Sequence, residues 1–330
     1  MIDIKNLKVN LENKILASEQ VIIVPHKGVD FDAIASSIGL SLIAEKLKRP
    51  SHIIVSDPIY EIDHGVQLII SEAKTTKSII NHERYQQVRT NNDFYILADV
   101  NKKNLIHPLE GLTKENTAII DHHNIDEKTL ETKVAYIDSS VSSASVIIEN
   151  LLCAYNIKYS PEVANYLLTG ILLDTNKLTK NVTSETMKTV TRLLENGANM
   201  TKANDYFIED FNSDRRVQEL VNSTRFLSYT IAIIMGKEDE EYTKEELAKA
   251  TDYLLKYKVD AAYAIGKIAE DTVSISARSK ESINVGEVMQ ELNGGGNQYS
   301  GATKIVGETI EETRKKLIKA ISPPHFVKPL

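Results

Sequence analysis

Short apolar runs that end in polar loops recur along the first half of this chain. The first run, Val21-Ile22-Ile23-Val24-Pro25, is rich in β-branched residues, as is typical of a strand buried on both faces of a parallel sheet. Stretches with apolar residues at helical spacing separate the runs, and this alternation favours a mostly parallel sheet flanked by helices. The predicted strands are 21–25, 52–56, 94–98 and 117–120, the predicted helices are 1–20, 34–48 and 66–86, and a shorter connection covers about 102–115.

The rest of the chain predicts further helices and then a second, smaller domain. Helical patterns cover 142–155, 160–173 and 184–196, and the last of them stops at Asn196-Gly197, a typical helix end. Strand and helix patterns then follow in an order that indicates an α+β domain. The predicted parts are an α/β domain at 1–197, a partly helical connector at 198–225, the α+β domain at 226–321 and a tail at 322–330.

Composition narrows the classes of partner. The 330 residues include 46 acidic and 39 basic side chains, a net charge of -7. Such a surface argues against duplex nucleic acid as the main partner, while a small nucleotide or short single-stranded RNA stays compatible. The single cysteine, Cys153, excludes an intramolecular disulfide, and its apolar neighbours predict a buried helix residue and not a nucleophile. No apolar stretch approaches the ~18 residues of a membrane span, so we expect a cytoplasmic protein.

The apolar runs of the first half end in aspartate or histidine. Because ligands bind at the carboxyl ends of strands in open α/β sheets, these ends predict one shared site. Taken alone, the first loop allows a plainer interpretation, in which Asp30 or Asp32 caps the next helix and His26 is a loop residue. The polar ends are His26, Asp30 and Asp32 after the first run, Asp99 after the third, Asp121, His122 and His123 after the fourth, and Asp174 after Gly170-Ile171-Leu172-Leu173.

Carboxylates and imidazoles together suit Mn²⁺, Mg²⁺, Zn²⁺ or Fe²⁺, and mixed oxygen and nitrogen ligands lean towards Mn²⁺. Four clustered carboxylates repel one another strongly unless cations neutralise them. Paired ions about 3.5 to 4 Å apart activate water for attack on a phosphoryl group. We therefore expect two divalent cations, Mn²⁺ before Mg²⁺, and metal-assisted phosphoester hydrolysis. The six predicted ligands are His26, Asp30, Asp32, Asp99, His122 and Asp174.

The ordered motifs resemble those of the DHH superfamily of phosphoesterases. The resemblance rests on Asp121-His122-His123, on His26-x3-Asp30-x-Asp32 upstream and on Asp174 downstream. The second half resembles the DHHA1 substrate-binding domain through Ile275-Ser276-Ala277-Arg278-Ser279 and through the run from Gly294 to Thr303. Within the superfamily, these motifs look most like the catalytic region of bacterial cyclic-di-AMP phosphodiesterases, and like related soluble enzymes that cleave pApA, short oligoribonucleotides and pAp.

The resemblance implies two sets of metal ligands that share Asp99. The first set is His26, Asp30 and Asp99, and the second is Asp32, Asp99, His122 and Asp174. It also implies that His123 contacts the scissile phosphate or supports the second ion, and that Asp121 orients the histidines.

Further residues are implied as substrate contacts, each with a plainer alternative. Ser142 and Ser143 match a family motif beside the site, but both could be helix N-caps. Arg278 would bind phosphate through two hydrogen bonds, or would be an ordinary arginine on a surface strand. The run Gly294, Gly295 and Gly296 could present N–H groups to a phosphate, although such a run alone would usually be a turn.

The chain departs from the family pattern at three places. Asn297 stands after the glycines where the family usually has histidine, and asparagine can donate a hydrogen bond but carries no charge. Gly301-Ala302 stands where the family has two alanines, and Val100-Asn101 follows Asp99 where related enzymes tend to have threonine and histidine. Substrate choice or affinity is therefore open.

The function that the resemblance implies is hydrolysis of cyclic-di-AMP to pApA, of pApA to AMP, or of both. One alternative is a 3'-5' nanoRNase with pAp phosphatase activity. Another is a nucleotide-binding sensor with weak catalysis, which only the departures at Asn297 and at Val100-Asn101 suggest. The related phosphodiesterases often carry membrane helices and sensor domains ahead of this region, and we expect the chain to correspond to the free-standing catalytic part. The oligomeric state is open, with a homodimer as one candidate.

Overall fold

The computed structural model describes residues 4–58, 62–208, 211–280 and 283–321. The chain forms two units, Met1–Ile208 and Glu209–Leu330, and the division between them lies inside the predicted connector. The predicted tail at 322–330 lies outside the described residues.

A parallel sheet forms the centre of the first unit. Within the described residues its strands are β1 Gln20–Pro25, β2 Ser51–Ile54, β3 Ile79–Ile80, β4 Asp93–Ala98, β5 Thr117–Asp121 and β6 Val134–Ile137. They lie in the order β3-β2-β1-β4-β5-β6, and every pair of neighbours is parallel. Every residue of β1 and of β4 is buried, as expected for central strands covered on both faces.

Helices surround this sheet and explain the unbroken apolar runs of its strands. The helices described in this unit are α1 Ile4–Ala17, α2 Phe31–Lys46, α3 His64–Ala73, α4 His82–Val88, α5 Ala144–Ala154, α6 Pro161–Asp174, α7 Ser184–Glu195 and α8 Met200–Asp205. Val21 and Ile23 of β1 belong to the core on one face, while Ile22 and Val24 belong to the core on the other. Alternate residues of this continuous apolar run therefore pack into two different cores, one on each face of the sheet.

The strand order places two carboxyl ends side by side at the point where the order reverses, between β1 and β4. Pro25 is in register with Ala98, so that His26 and Asp99 leave the sheet next to each other. On the other side of β4, the Asp99 N–H donates to Ile120 O (2.9 Å). A ligand site is expected at such a reversal.

The second unit has a mixed sheet in the order β11-β12-β10-β9-β8-β7, in which only β8 and β9 are parallel among the described strands. Its described strands are β7 Arg225–Phe226, β8 Ile231–Met235, β9 Ala261–Ala269, β10 Thr272–Ser279, β11 Gly295–Gly296 and β12 Ser300–Val306, and its helices are α9 Phe211–Asn222, α10 Lys244–Leu255, α11 Val285–Glu291 and α12 Ile310–Ile321. The predicted fold class, a parallel α/β domain followed by a smaller α+β domain, is confirmed.

Some local predictions are wrong. The single helix predicted at 66–86 is instead α3, strand β3 and α4, because Ile79 and Ile80 pair with β2 and Asn81 caps α4 by accepting from the Arg84 N–H. Cys153 is exposed on α5 and not buried, since apolar residues cover more than one face of that helix and spacing does not mark its outer side. No helix among the described residues is long and apolar enough to cross a membrane.

Candidate metal centre

The loop after β1 combines a helix cap with a pair of facing side chains. Asp30 is the N-cap of α2, and its Oδ1 accepts from the Ala33 N–H (3.0 Å). Its other oxygen, Oδ2, lies 3.5 Å from His26 Nε2. The cap and the proposed ligand are therefore compatible, because each uses a different oxygen of one carboxylate.

Asp32 lies in the first turn of α2 but bonds to another helix. Its Oδ2 accepts from the Ala144 N–H (2.6 Å) and its Oδ1 from the Ser145 N–H (2.8 Å), both at the start of α5. The positive end of that helix favours a carboxylate there. Even so, burial, followed by the charges of Asp99 and Asp174, raises the pKa of Asp32 well above its usual range. The ionised form of Asp32 therefore needs positive charge nearby, which a bound cation would supply.

Asp99 lies between the two predicted ligand sets. Its Oδ2 is 3.7 Å from His26 Nε2, and its Oδ1 is 3.3 Å from His122 Nε2. The residue has a φ of 58°, in the left-handed region that non-glycine residues rarely adopt and that occurs preferentially at functional sites. Burial raises the pKa of Asp99 to about 6.

Asp121 organises the two histidines that follow it at the end of β5. Its Oδ1 accepts from the N–H groups of His122 (2.8 Å) and His123 (3.2 Å) and from His123 Nδ1 (2.7 Å). Burial opposes ionisation, but the hydrogen bond and charge of His123 lower the pKa of Asp121. The carboxylate thus fixes both the backbone and one imidazole, as carboxylates beside ligand histidines commonly do.

Asp174 ends α6 and brings that helix to the same site. Its Oδ2 lies 3.1 Å from His122 Nε2, which is also 3.9 Å from Asp32 Oδ2. Gly170, one turn earlier, lets the helix approach this closely. A Cβ at position 170 would lie 2.4 Å from Ser145 Oγ and 2.8 Å from Asp32 Oδ1.

Among the predicted metal ligands, three buried atoms have no hydrogen-bond partner within the described residues: Asp99 Oδ1, His122 Nε2 and Asp174 Oδ2. His122 Nε2 lies 3.3 Å from Asp99 Oδ1 and 3.1 Å from Asp174 Oδ2 without forming a hydrogen bond to either. Buried polar atoms of this kind are rare in folded proteins and often mark the position of an ion or an ordered water. The described residues contain three groups able to hold a metal ion, namely Asp99-His122-His123, His26-Asp30-Asp99 and Asp32-His122-Asp174. The donor set and the unpartnered atoms both fit a divalent cation.

Metal binding is expected to release protons. Burial lowers the pKa of His26, but Asp30 and Asp99 raise it to about 10. In the same way, Asp174 and Asp99 overcome burial and raise the pKa of His122 to about 11. Near neutral pH both imidazoles therefore carry a proton that an ion must displace, and the raised pKa of Asp32 adds a carboxyl proton. At least two protons should leave as the site fills.

Because protons compete until the pH exceeds these raised pKa values, metal affinity should rise from about pH 6 to about pH 9. Calorimetric titration with Mn²⁺ in buffers of different ionisation enthalpy measures the number of protons. Equal heats in all buffers would contradict the prediction.

The predicted serines bond within the protein. Ser143 is the N-cap of α5 and accepts from the Val146 N–H, as in the plainer alternative. The Ser142 hydroxyl is hydrogen-bonded to that of Thr186 (2.9 Å). Ser142 also lines a cleft of about 520 Å³ beside His122 and Asp174.

The predicted residues of the second unit lie near one end of its sheet. Arg278 on β10 is in register with Ser300 on β12, whose N–H donates to Asn297 Oδ1 (2.9 Å). Arg278 Nε lies 3.2 Å from Asp252 Oδ1, so its charge already has a partner within this unit.

At two of the three positions in the glycine run, a larger side chain would collide with the neighbouring backbone. A Cβ on Gly294 would lie 2.3 Å from Ala302 O, and one on Gly296 would lie 2.2 Å from Ser300 O. A Cβ on Gly295 would meet nothing within 4 Å. Close approach of β11 and its flanks to β12 therefore accounts for Gly294 and Gly296, and leaves Gly295 open for other contacts.

Asp57 and His107 support the first loop and were missed in the sequence. Asp57 Oδ1 accepts from the Gly28 N–H (2.9 Å) and lies 3.0 Å from His107 Nε2. Asp57 follows the predicted strand 52–56, so the signal that identified Asp99 also applied to it. His107 lies in an irregular connection and had no comparable signal.

Two family models match the chain. The model for the "DHH family, N-terminal domain" matches residues 20–171, and the model for the "DHHA1 domain" matches residues 226–322. Among solved structures, an exopolyphosphatase-related protein from Bacteroides fragilis has a similar fold, with a TM-score of 0.78, 20% identity and 96% of each chain covered.

Curated relatives extend the similarity to most of the chain. It is 30% identical over 325 residues to the cyclic-di-AMP phosphodiesterase PdeA of Listeria monocytogenes, covering 94% of this chain and 48% of that protein. It is 20% identical over 318 residues to the bifunctional oligoribonuclease and PAP phosphatase NrnA of Thermus thermophilus, covering 91% of this chain and 89% of that protein. The chain spans between 36% and 49% of the length of PdeA and four further relatives. It belongs to the DHH family and contains a DHHA1 domain.

Proposed function

We propose that this chain is a phosphodiesterase that uses two divalent cations, Mn²⁺ before Mg²⁺, to hydrolyse a small adenine nucleotide. The observation that carries the proposal is the convergence of three unpartnered buried atoms, Asp99 Oδ1, His122 Nε2 and Asp174 Oδ2. Their carboxylate and imidazole chemistry suits these cations. When bound, the ions would lower the pKa of water and neutralise charge on the phosphate.

The side chains divide into two sets around Asp99. His26 and Asp30 lie towards its Oδ2, while His122 lies towards its Oδ1, with Asp32 and Asp174 beyond. Each oxygen of Asp99 thus faces one set, and the residue has a left-handed backbone with a φ of 58°. Asp99 is therefore suited to be the ligand that both ions share.

His123 is suited to act on the substrate. It lines the cleft beside the metal centre, and its side chain is 56% exposed. The hydrogen bond to Asp121 raises the pKa of His123 and engages its Nδ1. Its Nε2–H can then donate to a phosphate oxygen or protonate the leaving oxygen. Asp121 acts through His123 and orients it.

Similarity to PdeA supports cyclic-di-AMP as the first substrate, with pApA as product, and pApA as the second, with AMP as product. Similarity over most of the length of NrnA supports a second candidate function, cleavage of short RNA together with pAp phosphatase activity. In either case Arg278, Gly295 and Asn297 would contact the nucleotide from the DHHA1 domain. Arg278 would have to exchange its contact with Asp252 for one with phosphate.

A substrate panel separates these functions. Purified protein with Mn²⁺ or Mg²⁺ is given cyclic-di-AMP, cyclic-di-GMP, pApA and pAp, and the products are resolved by chromatography. The proposal expects adenine dinucleotides to be cleaved, with cyclic-di-AMP or pApA fastest. Preference for pAp would favour the NrnA-like function, and tight binding of cyclic-di-AMP without product would favour a sensor.

A further inference from the structure

The residues that line the cleft beside the metal centre indicate which kind of ligand it can bind. It measures about 520 Å³ and lies within the first unit, between the ends of β5 and β6 and the starts of α5 and α7. Its volume is within the range of small-ligand sites, about 300 to 1,000 Å³. The lining residues are His122, His123, Asn124, Ser139, Ser140, Val141, Ser142, Asp174, Asn181, Val182 and Thr183.

No lysine or arginine is among these lining residues. Apart from the members of the metal centre, every polar side chain of the cleft is a neutral hydroxyl or amide. A chain of phosphates carries a charge on every unit and would need cationic partners along its length. The cleft therefore favours a neutral, polar group next to the phosphate that the metal centre binds.

Most of the hydroxyls in the cleft already have partners. Ser140 donates to Asp138 Oδ1 (2.6 Å), and the hydroxyls of Ser142 and Thr183 are both hydrogen-bonded to that of Thr186 (2.9 Å each). Their capacity to recognise a ligand is correspondingly reduced.

The side chains of Asn124, Ser139 and Asn181 make no hydrogen bond within the part of the chain that the structure describes. Asn181 has a φ of 53°, so its backbone adopts the left-handed conformation that asparagine tolerates. Val141 and Val182 add apolar surface to the same cleft. Two free amides beside apolar walls match a nucleoside, which offers a flat base and hydrogen-bonding edges.

We propose that this cleft binds the nucleoside next to the scissile phosphate, and that Asn124 and Asn181 recognise it. The inference rests on the proposed function, because it takes the phosphate to lie at the metal centre. In this proposal, the first unit by itself distinguishes a nucleotide from inorganic polyphosphate.

Binding measurements on the Mn²⁺-loaded full chain test the proposal without requiring turnover. The probes are AMP, inorganic phosphate and inorganic tripolyphosphate, titrated by calorimetry. AMP should bind at least about tenfold more tightly than phosphate, and tripolyphosphate should bind no more tightly than AMP. Asn181→Gly should weaken the binding of AMP about fivefold, which is the loss expected for one hydrogen bond. It should leave the affinity for phosphate nearly unchanged.

Asn156→Gly is the matched control, because Asn156 is also exposed and left-handed, with a φ of 51°, but lies outside the cleft. Glycine accepts this conformation, so both variants remove an amide without adding backbone strain. Equal effects of the two variants on AMP binding would overturn the proposal, and so would equal affinities for AMP and phosphate. Loss of pApA hydrolysis with AMP binding retained would count against the proposed function alone.

Discussion

Replacement of Asp99 by asparagine is expected to reduce Mn²⁺-dependent turnover by about a thousandfold, or about 4 kcal/mol of transition-state stabilisation. Asp99 faces both ligand sets, with Oδ1 3.3 Å from His122 Nε2 and Oδ2 3.7 Å from His26 Nε2. An amide keeps the shape but loses the charge and one acceptor. The measurement is the rate of AMP release from pApA, together with Mn²⁺ affinity.

The same variant should fold without loss of stability in the absence of metal. Asparagine tolerates the φ of 58° at this position. Burial raises the pKa of Asp99 to about 6, so the folded wild type loses stability as the pH rises towards and past this value. The uncharged amide of the Asp99→Asn variant has no such cost, and the thermal midpoint of the variant near neutral pH should equal or exceed that of the wild type.

Asp126→Asn is the control for Asp99→Asn. Asp126 follows the DHH triplet closely but is an exposed partner of Lys102, outside the three metal-binding groups. The turnover of Asp126→Asn should stay within about twofold of the wild-type rate, because loss of a surface ion pair has little energetic effect. If the turnover of Asp99→Asn stayed within about tenfold of the wild-type rate, Asp99 could not be a shared metal ligand.

Gly170→Ala is expected to disrupt one ligand set and spare the other. A Cβ at this position would lie 2.4 Å from Ser145 Oγ, 2.8 Å from Asp32 Oδ1 and 2.9 Å from Asp32 Cα. To relieve these contacts α6 must move away, and it carries Asp174 one turn later on the same face. Mn²⁺ stoichiometry should fall from two to one per chain, with affinity at the damaged set lowered by about 10- to 100-fold.

Gly39→Ala separates this effect from general overpacking. A Cβ on Gly39 would lie 2.3 Å from Ile148 Cγ2, in the core between α2 and α5. Both substitutions should lower the free energy of unfolding by about 1 to 3 kcal/mol. Only Gly170→Ala should change the metal stoichiometry measured by calorimetry. Two ions bound to Gly170→Ala, or one bound to Gly39→Ala, would contradict this account of α6.

The position of the candidate site could be predicted from the sequence because a single rule covers it. Parallel strands present their carboxyl ends at one edge, so polar residues after buried runs meet there. The register of Pro25 with Ala98 brings His26 beside Asp99 in this way. The roles of the individual residues at the site stay predictions until they are tested.

Other features depend on contacts between distant segments, which local patterns do not contain. Asp32 accepts hydrogen bonds from Ala144 and Ser145, 112 and 113 residues later. Strand β3 has only two residues and forms because β2 offers it a partner. The need for glycine at position 170 likewise arises where three helices meet, and spacing along α6 gives no sign of it.

The most direct test of a two-metal phosphodiesterase is the rate of pApA hydrolysis during titration of the metal-free protein with Mn²⁺. Both candidate functions include this substrate. The account predicts no turnover after treatment with EDTA, little with the first equivalent, and full activity with the second, because both ligand sets must be filled. Turnover that survives removal of the metal, or that saturates at one equivalent, would contradict it.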